Sequence, residues 1–245
     1  MTHPSPLPAR RVLVPGGTGG VGEGIVRAHL AAGADVVVPT RTSAREAEFA
    51  DLVGDGYAGR LHLFTHDYTS FDGAEKLIET MVDRLGGIDD VIAPIGGWWA
   101  GGPLSTISSD DWRAAFIELS TTHMAVARAA FPRLSERASY AVVVGQSAEF
   151  PVPGSGLVSM QQAAALMMQR VLSAEAGAST RVVSLILGPV RTRFTTGEPT
   201  WISSDEIGEV TVALSRATSL YDDSLSLSTS ADASVVLERL LSTSA

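Results

Sequence analysis

Short runs of β-branched and aliphatic residues alternate with amphipathic stretches along most of the chain. Residues 11–15 (RVLVP) are apolar, end in GGTGGVGEG, and give way to the helical pattern IVRAHLAAG, which closes on Gly33. The run DVVV at 35–38 reads as a second buried strand, and Ser43 with Glu46 in SARE reads as a capping box opening a second helix. The alternation continues with strands at 60–64, 90–95, 140–144 and 181–187, and helices at 71–85, 109–134 and 159–176. The last forty residues are less regular: a helix at 204–216, a weak strand at 224–228 and a final helix at 232–241, with their topology left open.

Strands of this length separated by helices imply right-handed βαβ units, hence a parallel sheet covered on both faces. The expectation is one α/β domain over 10–245, a Rossmann-like doubly wound parallel sheet, preceded by a flexible proline-rich tail at 1–9.

The first turn carries candidate chemistry. Gly16, Gly20 and Gly22 lie between a strand and a helix, where glycine lets the backbone approach a pyrophosphate resting on the helix N-terminus. At the end of the second strand, where NAD-binding proteins commonly place a carboxylate for the ribose hydroxyls, this chain has PTRTSAR. Thr40 stands 18 residues after Gly22, followed by Arg41 and Arg45. No acid is there to repel a 2′-phosphate and a guanidinium is present to pair with it, so NADP(H) is expected in preference to NAD(H).

Composition narrows the partners. A net charge of -9 argues against a nucleic-acid backbone or an anionic membrane surface and leaves small molecules or proteins. Cysteine is absent, which removes disulfides and thiolate zinc sites and suits a cytoplasmic location. No apolar run reaches the length of a secretory signal or a membrane span. Lys76 is the sole lysine.

PGGTGGVG at 15–22 resembles the TGxxxGxG opening of the short-chain dehydrogenase/reductase family, with proline in the threonine position, and the likeness runs over roughly 10–215. The resemblance implies that Gly16, Gly17, Thr18, Gly19, Gly20, Val21 and Gly22 cradle the cofactor and that Asp67 and Tyr68 of HDYTS lie at its adenine. It implies further that LGPVRT at 187–192 is the loop beside the nicotinamide, through Gly188, Pro189, Val190 and Thr192. The family's NNAG becomes APIG at 93–96, keeping Gly96 after Ala93 but losing both asparagines.

The proton-relay residues of the family are missing. Its helix asparagine aligns with Leu119, and only Ser147, in VVVGQSAEF, matches the catalytic serine. The YxxxK pair is due 12 or 13 residues later, giving Ser159 with Ala163 or Met160 with Ala164, the first favoured by the AALMM that follows. In the family chemistry the lysine lowers the tyrosine pKa from about 10 toward neutrality so that the phenol can exchange a proton with the carbonyl oxygen. A serine hydroxyl without an adjacent cation can orient an oxygen but is a poor acid, so Ser147 and Ser159 are the candidate catalytic residues.

Around them, His123 stands one helical turn after Leu119 and reads either as an alternative acid or as an ordinary packing histidine. Trp98, Trp99, Phe150, Met160 and Phe194 are candidates for an apolar substrate pocket, and Trp201 lies on a loop at the same edge. His62 and His66 lack a third ligand, so no metal site is expected. By resemblance the chain pairs through the helices at 109–134 and 159–176 into a homodimer or homotetramer. The leading reading is an atypical NADP(H)-dependent oxidoreductase acting on a small apolar or aromatic carbonyl or activated alkene. The alternatives are a catalytically degenerate NADP(H)-binding sensor or inactive partner subunit, and non-redox catalysis in the same pocket.

Overall fold

The computed structural model describes residues 9–57, 59–177, 180–219 and 223–242. Apart from residue 9, the tail expected at 1–9 lies outside the described residues. Seven parallel strands stand in the order β3-β2-β1-β4-β5-β6-β9. They are β1 (Arg11–Leu13), β2 (Asp35–Thr40), β3 (Leu61–Thr65), β4 (Ile88–Ala93), β5 (Leu134–Gly145), β6 (Arg181–Leu187) and β9 (Ser224–Leu227), with β7 (Val190–Arg191) and β8 (Ile202–Ser203) forming a separate small pair. Strand order reverses between β1 and β4, the place where a doubly wound sheet opens a crevice at the carboxyl ends of its strands.

Both faces of the sheet are buried, which explains why its strands read as unbroken apolar runs. Val12, Val14, Val36 and Val38 face α1 (Gly20–Ala31), α2 (Ser43–Val53), α7 (Ser204–Arg216) and α8 (Ser230–Ser242). Leu13, Val37, Val91 and Val142 face α3 (Phe71–Leu85), α5 (Leu119–Ala130) and α6 (Gly156–Ala176). At the opposite edge, Arg10, just before β1, and Arg11 of β1 pair with Asp90 and Asp89 of β4, Arg11 at 2.8 Å, pinning the two central strands together.

Three local expectations change. Ser43 is already helical, so it cannot cap; Thr42 caps α2 by accepting from the Arg45 N–H at 3.3 Å, and Glu46 instead accepts from the Thr65 hydroxyl. The helix expected at 109–134 is a composite of α4 (Ser109–Trp112), a π-helical stretch (Arg113–Glu118), α5 and a 3₁₀ turn (Phe131–Arg133). The chain then enters β5 at Leu134, six residues before the predicted start. The β4–β5 register shifts between Ile88 and Asp90, the extra residues bulging around Arg137 at φ 61°. The terminal segment left open by pattern supplies the edge strand β9, paired parallel with β6, while α8 returns to the first face through Val236 and Leu240.

Candidate cofactor and substrate site

The glycine turn joins β1 to α1 and lies against the end of β4. Gly16 has φ +87°, and a Cβ there would stand 2.5 Å from the Pro94 carbonyl oxygen; a Cβ on Gly22 would stand 2.4 Å from the Gly16 oxygen. Only glycine allows the turn to fold this tightly. The N-cap of α1 is Gly19, which has no side chain to satisfy the first helical N–H groups, so that end remains a donor-rich, electropositive surface.

This turn forms one wall of a cleft of about 740 Å³. Of the residues expected to hold a cofactor, Gly16, Thr18, Gly19, Thr40, Arg41, Tyr68 and Gly96 line it. Pro94 and Ile95 of the APIG motif, Leu119 in place of the family's helix asparagine, and Thr122 also line it, though none was expected to hold the cofactor. Gly17, Gly20, Val21, Gly22 and Ala93 do not line it: Gly17, Gly22 and Ala93 are buried, and a Cβ on Gly20 would meet the Thr192 side chain at 2.9 Å. Asp67 accepts from the N–H and hydroxyl of Thr69 at 3.0 and 2.6 Å, bonds that hold its carboxyl below the usual range. It thereby shapes the turn into α3 and does not line the cleft.

Charge in the cleft is uneven. Arg45 is held by Glu48 at 2.8 Å, whereas Arg41 is exposed and, among the described residues, has no carboxylate within ion-pair distance. Its charge acts on Asp67 and on Tyr68, whose hydroxyl is pushed up by burial and bonds with the backbone of Gly16.

The loop after β6 folds back over the glycine turn. The Gly188 N–H donates to the Leu227 carbonyl at 3.0 Å, and Val190 pairs with Ile202, so this part of the expected nicotinamide loop, with Pro189 between, is tied to β8 and β9. Thr192 accepts from the Phe194 N–H at 3.1 Å. Arg193, which sequence reasoning passed over, reaches Glu23 at 2.9 Å and the Thr18 carbonyl at 3.3 Å, clasping the two segments. Its only sequence signal is standing two residues after Arg191 in the same loop.

Ser147 and Ser159 lie at the start of the β5-to-α6 connection and on α6. The residue that α6 turns toward Ser147 is Gln162, not Ser159 or Ala163: Gln162 Oε1 accepts from Ser147 Oγ at 2.5 Å and from the Gly145 N–H at 3.0 Å. One turn earlier is Val158, which is buried. Ser159 donates weakly to the Ser155 carbonyl at 3.4 Å and lines a separate apolar cavity of about 540 Å³.

That cavity is built from 101–104, 151–154, Gly156, Ser159 and Met160. Met160 is therefore the one predicted pocket residue that lines it. Trp98 is 79% exposed, and Phe150 and Phe194 are 63% exposed, the latter stacked under Arg193. Trp99 is turned away by a 3.0 Å bond from Nε1 to Asp111 and covers Gly101. Trp201 packs on Gly197.

His123 is buried on α5 and donates from Nε2 to the Ile95 carbonyl at 2.8 Å, fixing the loop that floors the cleft; Nδ1 has no partner. Burial lowers its pKa to about 4 although the carbonyl bond favours the cation, so it is a neutral anchor at ordinary pH. Just before Leu119 the helix is distorted without any asparagine, by the π-helical stretch whose Phe116 stacks on Trp112 at 4.4 Å. His62 contacts Asp35 and His66 the Gly73 carbonyl, so the two histidines serve separate structural ends. Among the described residues no cluster of three metal-ligating side chains occurs, and no helix is long and apolar enough to cross a membrane.

Residues 16–219 match the family model described as enoyl-(acyl carrier protein) reductase. The chain is 32% identical over 203 residues to 1-deoxy-11-beta-hydroxypentalenate dehydrogenase of Streptomyces arenae, covering 77% of this chain and 70% of that one. Among solved structures it resembles a blue fluorescent protein from a metagenomic library in complex with NADPH, with a TM-score of 0.79 at 20% identity over 92% of this chain and 98% of that one. It also resembles a Pseudomonas aeruginosa short-chain oxidoreductase described as containing an atypical catalytic center, with a TM-score of 0.80 at 19% identity over 89% and 95%. With the glycine turn at the switch point of a seven-stranded parallel sheet and most of its length matched, the chain belongs to the short-chain dehydrogenase/reductase family of oxidoreductases.

Proposed function

We propose that this protein is an NADP(H)-dependent reductase of small apolar or aromatic carbonyl compounds or activated alkenes that works without a tyrosine–lysine pair. The observation that carries the cofactor choice is Arg41, exposed at the cleft beside Thr40 where a carboxylate would otherwise meet the ribose. The tight glycine turn and the uncapped start of α1 suit the pyrophosphate. The bound NADPH of the metagenomic relative supports the same choice. NADPH supplies the hydride when bound. The apolar lining of the cavity formed by the loops after β4 and β5 supports an apolar substrate.

The chain's own residues bind and orient but hold no ready proton. The sequence has no tyrosine followed four residues later by lysine, and its single lysine is on α3. His123 is neutral and buried, and the Ser147 hydroxyl proton points at Gln162. The proton that completes a carbonyl reduction, going to the oxygen as hydride reaches the carbon, therefore comes from water, which limits the enzyme to activated acceptors.

The loss of the proton relay favours a second reading, a sensor or inactive partner subunit that binds NADP(H) without turnover. NADPH fluorescence titration, followed by NADPH oxidation across a carbonyl panel with a Ser147→Ala control, separates the two. Binding with oxidation supports the reductase, binding alone the sensor, and absence of binding defeats both. For assembly we propose self-pairing through α5 and α6, whose outer faces expose Met124, Met167 and Val171; a monomeric mass by light scattering would exclude it.

A further inference from the structure

Gln162 joins α6 to the end of β5 and to Ser147 through one carboxamide oxygen. The Gly145 N–H can only donate, so the carboxamide atom facing it is the oxygen, and the same oxygen takes the Ser147 hydroxyl proton. Two consequences follow. Ser147 Oγ has given its hydrogen away and offers lone pairs only. Gln162 Nε2 carries two N–H groups, and no hydrogen bond joins them to a described residue. A donor and an acceptor thus stand side by side at the carboxyl end of β5, one helical turn along α6 from Ser159, which helps to line the apolar cavity.

We propose that Gln162 is a catalytic residue whose Nε2 amide donates to the substrate's carbonyl oxygen, while Ser147 Oγ accepts from a hydroxyl on the adjacent carbon, so that the site selects α-hydroxy ketones. This rests on the reductase reading above. The polar pair is matched by a substrate with an acceptor and a donor on neighbouring carbons, and the apolar surroundings take its hydrocarbon remainder. Neither group ionises over the ordinary pH range, so oxygen binding is independent of pH, unlike binding by a phenol–ammonium pair. As hydride from NADPH forms the new C–H bond and the C=O π electrons move to oxygen, the amide stabilises the developing charge and water gives the proton, leaving hydroxide, NADP⁺ and a diol.

The decisive variant is Gln162→Glu. A carboxylate still accepts from Ser147 and Gly145, preserving every contact seen in the structure, but it cannot donate. The probes are 2-hydroxycyclohexanone and cyclohexanone with NADPH. The wild type should prefer the hydroxy ketone in kcat/KM by at least about tenfold, and Ser147→Ala should erase that preference. Gln162→Glu should lose about 10²–10³-fold at pH 8 and stay impaired down to pH 5, because the two bonds it accepts favour the carboxylate. Gln162→Leu should be impaired at every pH.

Unchanged activity of Gln162→Glu at pH 8 would overturn the proposal and reduce Gln162 to a support for Ser147. Saturation-transfer NMR with 2-hydroxycyclohexanone supplies a readout apart from turnover: binding to the wild type at pH 8 and its loss in Gln162→Glu are expected. Absence of binding to the wild type would overturn the proposal even if NADPH binds. Failure of NADPH to bind would instead overturn the reductase reading.

Discussion

His123 holds Ile95: its Nε2–H donates to the Ile95 carbonyl at 2.8 Å from a ring that is almost wholly buried. Through this bond α5 sets the height of the loop that floors the cleft, and the ring stays neutral because burial lowers its pKa to about 4. In ¹H–¹⁵N spectra the His123 ring should remain unprotonated down to about pH 5. His123→Phe should fill the space, leave the Ile95 carbonyl without its donor, destabilise the fold by about 1–3 kcal/mol in urea melts and weaken NADPH binding. Tight binding with unchanged stability would count against the anchoring role.

His29, buried on α1 with Nε2 at 3.1 Å from the Thr211 hydroxyl, is lowered to about 4 in the same way, chiefly by burial. Both histidines protonate in the unfolded chain below about pH 6.5 but in the folded chain only near 4. As the pH falls between those values the unfolded state takes up protons that the native state refuses, so stability is full above about 6.5 and declines toward 4. Urea midpoints measured at pH 7.5, 6, 5 and 4 should fall steadily, and a double His29→Gln, His123→Gln variant should show a much flatter dependence.

Arg41 bears on cofactor choice. Arg41→Ala should weaken NADPH binding by about tenfold or more and leave NADH binding nearly unchanged, because only the former carries the 2′-phosphate. Parallel fluorescence titrations with the two cofactors decide it; equal losses for both would mean that Arg41 does not read the phosphate.

Gly16→Ala tests the turn itself. The new Cβ would stand 2.5 Å from the Pro94 oxygen, in a backbone conformation at φ +87° that alanine rarely adopts. Loss of about 2 kcal/mol or more of stability is expected, together with loss of NADPH binding, since the turn must move away from β4. Thermal melts and the same titration provide the check.

Asp90 is fully buried and paired with Arg10 and Ser139 at the far edge of the sheet. Asp90→Ala should cost about 3–5 kcal/mol by stranding Arg10, while cofactor affinity of the remaining folded protein stays near that of the wild type. A matching loss of affinity would show that the two edges of the sheet are coupled.

What the amino-acid order determined by itself was local. The spacing of apolar residues set helices at Phe71–Leu85 and Ser204–Arg216 and the strand Arg181–Leu187 to the residue, and the glycines of 16–22 marked a strand-to-helix turn, because periodicity and backbone sterics act over a few neighbours. The sequence also holds no tyrosine followed four residues later by lysine. Tertiary structure decided the rest. The π-helical stretch before Leu119, the capture of Trp99 by Asp111 and the clasp of Arg193 on Glu23 join residues whose contacts depend on how separate elements are brought together or how a helix is packed. The choice of Gln162 over Ser159 as the partner of Ser147 turned on the rotation of α6 about its own axis: one residue along a helix swings a side chain by about 100°, a difference that sequence counting cannot resolve and packing against β5 does.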